Sequence, residues 1–362
     1  MNNNELTLYM NEAISELIRH TLKNTGRNLR ETAFLLQFYR HARENSKKRL
    51  NHETDGIHIP AYLIASITHA CNLFCAGCYS RANGTCSERP RAELLSAAQW
   101  RDVFEQAASL GVSFILLAGG EPMLRRDVLE KAAEFRSIVF PVFTNGTLID
   151  AQYAEFLNVR RNLVPILSIE GGRDRTDARR GGGTYEKLLN AMSLLKKRGI
   201  LFGVSITVTR ENIAEVTSEE FLSLLREQGC RIVFYVEYVP VSRQTRDLAP
   251  TDAERAQLDE AIGSLRKTCP SLFFISFPGD EKYLGGCLAA GRGFFHINPY
   301  GGAEPCPFSP YSDRSVTTHS LLEALQSPLF ERLRQEGAVG GEHIGGCALF
   351  EQEELVKRCL QG

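Results

Sequence analysis

The stretch "SITHACNLFCAGCYSRANGTC", Ser66 to Cys86, holds four of the chain's ten cysteines. Cys71, Cys75 and Cys78 are spaced CxxxCxxC and follow "AYLIASIT", an apolar run that reads as a strand. Parallel α/β folds carry their sites in the loops after strand C-termini, which is where these thiols fall. Three thiolates hold three irons of a cubane cluster and leave the fourth iron open. A structural zinc ion closes with four ligands, and Cys86 could be the fourth, so the residues alone leave both metals open.

From Ile59 onward, apolar β-rich runs alternate with amphipathic helical ones. The strands are "AYLIASIT", "SFILLAG", "IVFPVFT", "LVPILSI", "FGVSITV" and "RIVFYVEYV". Helices such as "SAAQWRDVFEQAASLG", "TYEKLLNAMSLLKKRG" and "EEFLSLLREQG" lie between them and end at Gly, a common helix stop. Such units predict an α/β fold with a parallel sheet buried on both faces. Periodicity alone does not separate a barrel-like closure from a flat doubly wound sheet. Residues up to about 50 read as helical, with Ile14, Leu17, Ile18, Phe34, Leu35, Phe38 and Tyr39 at helical spacing. They are expected to layer over the main domain, a membrane-surface or partner-binding helix being the other reading. "ENSKKRLNHETDG" is polar and reads as a linker. After about residue 270 the rhythm stops, in a segment rich in Gly, Pro and Cys. A small metal-stapled unit with little apolar core is expected there.

The 362 residues are 43% hydrophobic and 23% charged, which suits one large domain with appendages. A net charge of −1 gives no bulk attraction to nucleic acid or anionic membranes. No window approaches the roughly 20 apolar residues of a membrane span. The N-terminus lacks a secretory pattern, so a cytoplasmic location is expected. Thiols stay reduced there, and clustered cysteines then point to metal or catalysis rather than disulfides.

With Tyr79 directly after it, the triplet resembles the radical S-adenosylmethionine (radical SAM) superfamily, over roughly residues 59–240. "GGEP" at Gly119–Pro122 ends the second strand, "FTNGT" at Phe143–Thr147 the third and "LSIEGG" at Leu167–Gly172 the fourth. The resemblance implies a partial (β/α)6 TIM-like barrel with an N-terminal helical extension and a small Cys-rich C-terminal domain. It also implies a SAM-binding 4Fe–4S cluster on Cys71, Cys75 and Cys78. Gly119, Gly120 and Glu121 would meet the SAM amino group. Ser168 and Arg180, twelve positions later, would meet SAM as in the similar sulfatase-maturase group, with Arg179 an adjacent rival. Tyr79, Asn145 and Ser205, or Thr207 beside it, would complete the cofactor site. Glu170 stands where relatives often have Asp. The implied chemistry is reductive cleavage of SAM to a 5′-deoxyadenosyl radical that abstracts a substrate hydrogen. An external one-electron donor such as flavodoxin or ferredoxin would drive it.

Cys287, thirteen residues, Gly301, four residues and Cys306 resemble the opening of the SPASM and shortened "twitch" domains. Only Cys347 and Cys359 follow, so one auxiliary iron–sulfur cluster is implied, on Cys287, Cys306 and Cys347 with Cys359 as a softer fourth ligand. The domains expected are 1–57 (helical extension and linker), 58–268 (partial barrel) and 269–362 (auxiliary domain). Cys86 reads as a free or structural thiol and Cys230 as core, while Cys269 says little. Glu237, inside "FYVEYVP", faces either the barrel interior as a catalytic group or an ion-pair partner. His296 reads as a satisfied polar residue, and Asp280 and Glu281 as surface. The substrate is expected to be a peptide or protein undergoing oxidation or bond formation, with dehydrogenation or rearrangement of a small metabolite as the alternative. Residues 1–50, helical without strands, speak against a winged-helix peptide-recognition domain. A cluster carrier or redox relay would not need the SAM motifs.

Overall fold

The structure is a computed structural model in which residues 1–25, 28–88, 92–240, 243–340 and 346–361 are described. All six runs read as strands form them: β1 (Tyr62–Ser66), β2 (Phe114–Ala118), β3 (Phe140–Thr144), β4 (Leu163–Ser168), β5 (Gly203–Val208) and β6 (Ile232–Glu237). They pair in parallel and in chain order. The register sets Ser66 beside Ala118 and Ser168 beside Ser205, so the strand C-termini share one rim. The fold is the partial TIM-like barrel, and the rim carries the motifs.

Outside the barrel, helices bury Trp100, Phe104, Leu188, Met192, Leu222 and Leu225 against the strands. The helix Ala97–Leu110 opens with a Ser96–Gln99 capping box and stops at left-handed Gly111. Inside, β2 alternates: Ile115 and Leu117 are buried under helices, while Phe114, Leu116 and Ala118 are partly open. The open set faces a hollow interior.

The N-terminal residues form α1 (Asn3–Thr25) and α2 (Leu29–Thr54). Ile14, Ile18, Leu35 and Phe38 pack on Ala61, Val139, Val164, Leu201 and Ile232 at the strands' N-terminal ends, closing the barrel floor. The expected linker is a correction, because α2 runs through it. Its polar residues are buried by satisfying backbone: Asn45 Nδ2 donates to Ser137 O (2.9 Å), and Arg49 bonds Gly111 O and Ser113 Oγ. This last part of α2 docks through hydrogen bonds and has no apolar stripe to read.

The sheet also extends beyond the six strands. β7 (Phe273–Phe277) adds in parallel to β6, and β8 (His296–Ile297) in parallel to β1. β9 (Gly302–Glu304) and β10 (Arg314–Ser315) continue it antiparallel. The C-terminal segment is not poor in core, contrary to expectation. Leu288, Phe294, Phe295, Leu329, Phe330 and Leu333 are buried and continuous with the barrel core.

Candidate active site

Cys71, Cys75 and Cys78 sit in the loop after β1, partly open. The loop is fixed from three sides. Gly120 N–H donates to Thr68 O and Glu121 N–H to Ala70 O, both at 2.8 Å, which ties it to the end of β2. Ala76 N–H donates to Arg179 O (2.8 Å), tying it to the helix Arg173–Arg180. Asn72 bonds two side chains of the "TNGT" turn: Asn145 Nδ2 donates to Asn72 Oδ1 (2.8 Å), and Asn72 Nδ2 donates to Thr147 Oγ1 (2.9 Å). Asn72 was not singled out from sequence; as a spacer residue of the triplet, nothing marks it.

Glu121 is 1% exposed and takes three donors: Thr144 Oγ1 (2.6 Å), Met123 N–H (3.0 Å) and Asn145 N–H (2.8 Å). Burial pushes its carboxyl above the usual range, and these bonds pull it part of the way back. The carboxylate thus joins the ends of β2 and β3, a task beyond the amine contact expected of it.

Across the rim, one buried carboxylate organises two arginines. Arg180 donates to Glu170 Oε1 from Nε (2.8 Å) and Nη2 (2.5 Å). Arg179 Nη1 donates to the same oxygen (2.5 Å) and to Thr207 Oγ1 (2.9 Å). Arg180 Nη1 also points at Cys75 Sγ, 3.9 Å away. Burial opposes the Arg180 charge, but Glu170 and the Cys75 thiol outweigh it and the guanidinium rises above its ordinary value.

Cys71, Cys75, Cys78, Tyr79, Gly119, Gly120, Glu121, Asn145, Ser168, Arg180 and Ser205 all line a single cavity of about 850 Å³. It runs down through the barrel, past Leu116, Phe143, Ile166 and Phe234, to Ile14 and Phe38 of the floor. Glu237 lines it too, but is spoken for: Arg255 Nε and Gly346 N–H each donate to Oε2 at 3.0 Å. Of the two readings the ion-pair partner is present, and it clasps β6 to the residue before Cys347.

The late cysteines lie on the same side. Tyr79 packs its ring on Phe308 (centroids 4.8 Å apart) and senses both Cys78 and Cys306, so the two cysteine sets meet around this pair. Cys306 and Cys347 are hydrogen-bond partners, and Cys287 senses Cys347. Burial pushes the Cys287 and Cys306 thiols up, while the Cys306 bond draws Cys347 down. His296 is satisfied by Glu304 Oε2 (2.7 Å) and Ser66 Oγ (2.8 Å). Cys86, Cys230 and Cys269 are buried. Asp280 pairs with Arg266, but Glu281 is only 3% exposed, which corrects its surface assignment.

The sequence profile described as Radical SAM superfamily matches residues 65–225. The chain is 31% identical over 257 residues to the PqqA peptide cyclase of Gluconobacter oxydans (strain 621H), covering 68% of this chain and 70% of that one. The chain belongs to the radical SAM superfamily. It is also 26% identical over 332 residues to the AdoMet-dependent heme synthase of Methanosarcina barkeri (strain Fusaro / DSM 804), covering 83% of this chain and 91% of that protein. Streptococcus suis SuiB bound to S-adenosylmethionine shares the fold, with a TM-score of 0.64 at 19% identity over 81% of this chain and 72% of that one. This radical SAM enzyme therefore uses a 4Fe–4S cluster and SAM, with a C-terminal domain of the twitch/SPASM type. No described helix is long and apolar enough to cross a membrane.

The donor sets fit such cofactors. Burial pushes the Cys71 thiol up to about 11, so the protein alone does not hold it as the thiolate a metal ligand must be. A cationic cluster would supply that stabilisation. Among the described residues no three His, Cys, Asp or Glu side chains gather tightly enough for one ion.

Proposed function

We propose that Cys71, Cys75 and Cys78 hold the SAM-binding cluster of a peptide-modifying radical SAM enzyme. The reading rests on the convergence of four strand-end motifs on one cavity. The cluster, when bound, supplies the electron that cleaves SAM. The residues supply position: the backbone at Gly119 and Gly120, with Glu121 behind it, takes the amine. Arg180 and Ser168 take the carboxylate, Arg180 through Nη1, because Glu170 holds its Nε and Nη2. Ser205, with Thr207, lies toward the adenosine, and Asn145 holds the loop. The apolar wall below excludes water from the hydrogen-abstraction step. Residues 1–57, 58–268 and 269–362 act as floor, barrel and auxiliary domain. Cys287, Cys306 and Cys347 hold an auxiliary iron–sulfur cluster, and a flavodoxin- or ferredoxin-type donor supplies electrons.

Arg180→Ala should weaken SAM binding by about 1.5–3 kcal/mol, the worth of a hydrogen bond to a charged group, or about ten- to hundredfold. Equilibrium dialysis on anaerobic, iron-loaded protein measures it. Unchanged affinity together with a defect in Arg179→Ala would move the role to the neighbour.

The PqqA peptide cyclase resemblance supports a peptide substrate, and the heme synthase resemblance supports a tetrapyrrole. The cavity favours the peptide. Its arginines are already paired, Arg179 and Arg180 with Glu170 and Arg266 with Asp280, so little cationic charge is left over for a tetrapyrrole's several carboxylates. Apolar walls suit an aliphatic or aromatic side chain. Short peptides encoded beside the gene should raise 5′-deoxyadenosine formation with SAM and dithionite, and should lose hydrogen by mass spectrometry. Stimulation by an iron porphyrin and not by the peptides would reverse the assignment.

A further inference from the structure

Along β6, Val233 and Tyr235 are buried in the helix-covered core, while Phe234 and Val236 line the cavity. Tyr238, one residue past the strand's end, continues the inward set and lines the same cavity. Its backbone is pinned: Tyr238 N–H donates to Val208 O (2.9 Å), and Glu237 before it is held by Arg255 and Gly346. Tyr238 is 3% exposed, and among the described residues its hydroxyl has no hydrogen-bond partner. Tyr235, on the other face of the strand, shows the usual outcome for a buried phenol: its hydroxyl donates to Val216 O at 2.8 Å. A buried hydroxyl without a partner is costly, and native structures carry few of them. At a cavity wall, a bound molecule can supply the missing partner.

The hydroxyl reaches the cysteine loop. Gly77 lies between Cys75 and Cys78 with φ +66°, and it lines the cavity too. A Cβ at Gly77 would stand 2.6 Å from Tyr238 Oη, 2.9 Å from Cε2 and 3.1 Å from Cζ, so a residue without Cβ leaves the ring tip its place. On the other side, the register pairs Thr207 of β5 with Val236, which sets Tyr238 just beyond Ser205 and Thr207. The phenol thus stands between the cysteine loop and the end of β5. Resting on the SAM-site reading above, we propose that the Tyr238 hydroxyl is a hydrogen-bond partner of the nucleoside half of SAM. The methionine half is served from β2 and β4, through Gly119, Gly120, Glu121, Ser168 and Arg180. β6 lies beyond β5 in the sheet order, on the adenosine side. A phenol donates one hydrogen bond and accepts others, and an adenine ring and a ribose offer partners for both roles.

The test is Tyr238→Phe in the full-length, iron-loaded protein, which removes the hydroxyl and keeps the ring against Gly77. Equilibrium dialysis measures SAM binding, and 5′-deoxyadenosine and methionine are each used to displace labelled SAM. SAM and 5′-deoxyadenosine should bind about three- to tenfold more weakly than to the parent, the worth of one neutral hydrogen bond, and methionine as before. Without SAM, the melting temperature should match or exceed the parent's, because no bond within the protein is lost. A lower melting temperature or a failure to fold would show a hydroxyl already used by the protein, and overturns the proposal. Unchanged affinity for SAM and 5′-deoxyadenosine overturns it as well; weaker peptide binding alongside would hand the hydroxyl to the substrate. Equal losses for 5′-deoxyadenosine and methionine refute the nucleoside assignment. A parent that takes up its iron yet binds no SAM refutes the SAM site itself, and the role of Tyr238 with it.

Discussion

Replacing Cys71, Cys75 and Cys78 by Ala is expected to bring 5′-deoxyadenosine formation down to background, in protein that still folds. The loop has no built-in substitute for the lost ligands. Cys86 is the nearby thiol, sensing Cys75 and Cys78, but it is buried and its amide is held by Ser80 O at 2.6 Å. It should not swing in to replace a ligand, so single variants should be as inactive as the triple. Cys86→Ser should keep its activity. Folding should survive because the barrel core lies beneath the loop, in Leu63, Ala65, Ile67, Ile115 and Leu117. The measurement is chromatography of reduced, SAM-treated, iron-loaded protein, with circular dichroism for the fold. Wild-type turnover in the triple variant, or one tightly bound zinc per chain in the parent, would defeat the cluster assignment.

Much of this site was readable because each motif is local and ends a strand. Apolar runs of five or six residues fix β1 to β6, and the residues just after them fall on the rim by topology alone. Arg179 and Arg180 could be narrowed to a pair from sequence. Which of them faces Cys75 depends on how Glu170 holds both, and that is a contact between the residues after β4 and the helix Arg173–Arg180. What escaped the reading was structure made by hydrogen bonds. The end of α2 looked like a linker because Asn45 and Arg49 dock through polar groups, on Ser137 O and Ser113 Oγ. Glu281 looked exposed because an acid in a Gly-rich stretch usually is, and only the fold back onto Leu288 buries it. Glu237 was poised between two readings until Arg255 and Gly346 came within 3.0 Å. The short strands β8 to β10 carry too few residues for any period to show.

Gly120→Ala should be nearly as damaging as loss of a cluster thiol. A Cβ there would stand 2.0 Å from Ala70 O, 2.4 Å from Ala70 C and 3.0 Å from Cys71 N. All three are backbone atoms, so no flexible side chain can yield. The loop must lift off the end of β2, breaking the bonds from Gly120 N–H to Thr68 O and from Glu121 N–H to Ala70 O. Overpacking and the lost bonds together should cost about 2–4 kcal/mol of stability. The functional loss should be larger, because the residue pushed away is Cys71 and the surface deformed is the proposed amine site. Iron content should fall, and SAM affinity should drop by more than about a hundredfold, roughly 2.7 kcal/mol. Gly263→Ala is the matched control: it lies in the helix Asp252–Thr268, and a Cβ there meets nothing within 4 Å. That change should stabilise by about 0.5–1 kcal/mol through helix propensity. Thermal melts, iron assay and SAM dialysis on the two variants separate a crowded strand end from an ordinary turn. At an ordinary turn Gly120→Ala would leave iron and SAM binding as they are, and that result would remove Gly120 from the site.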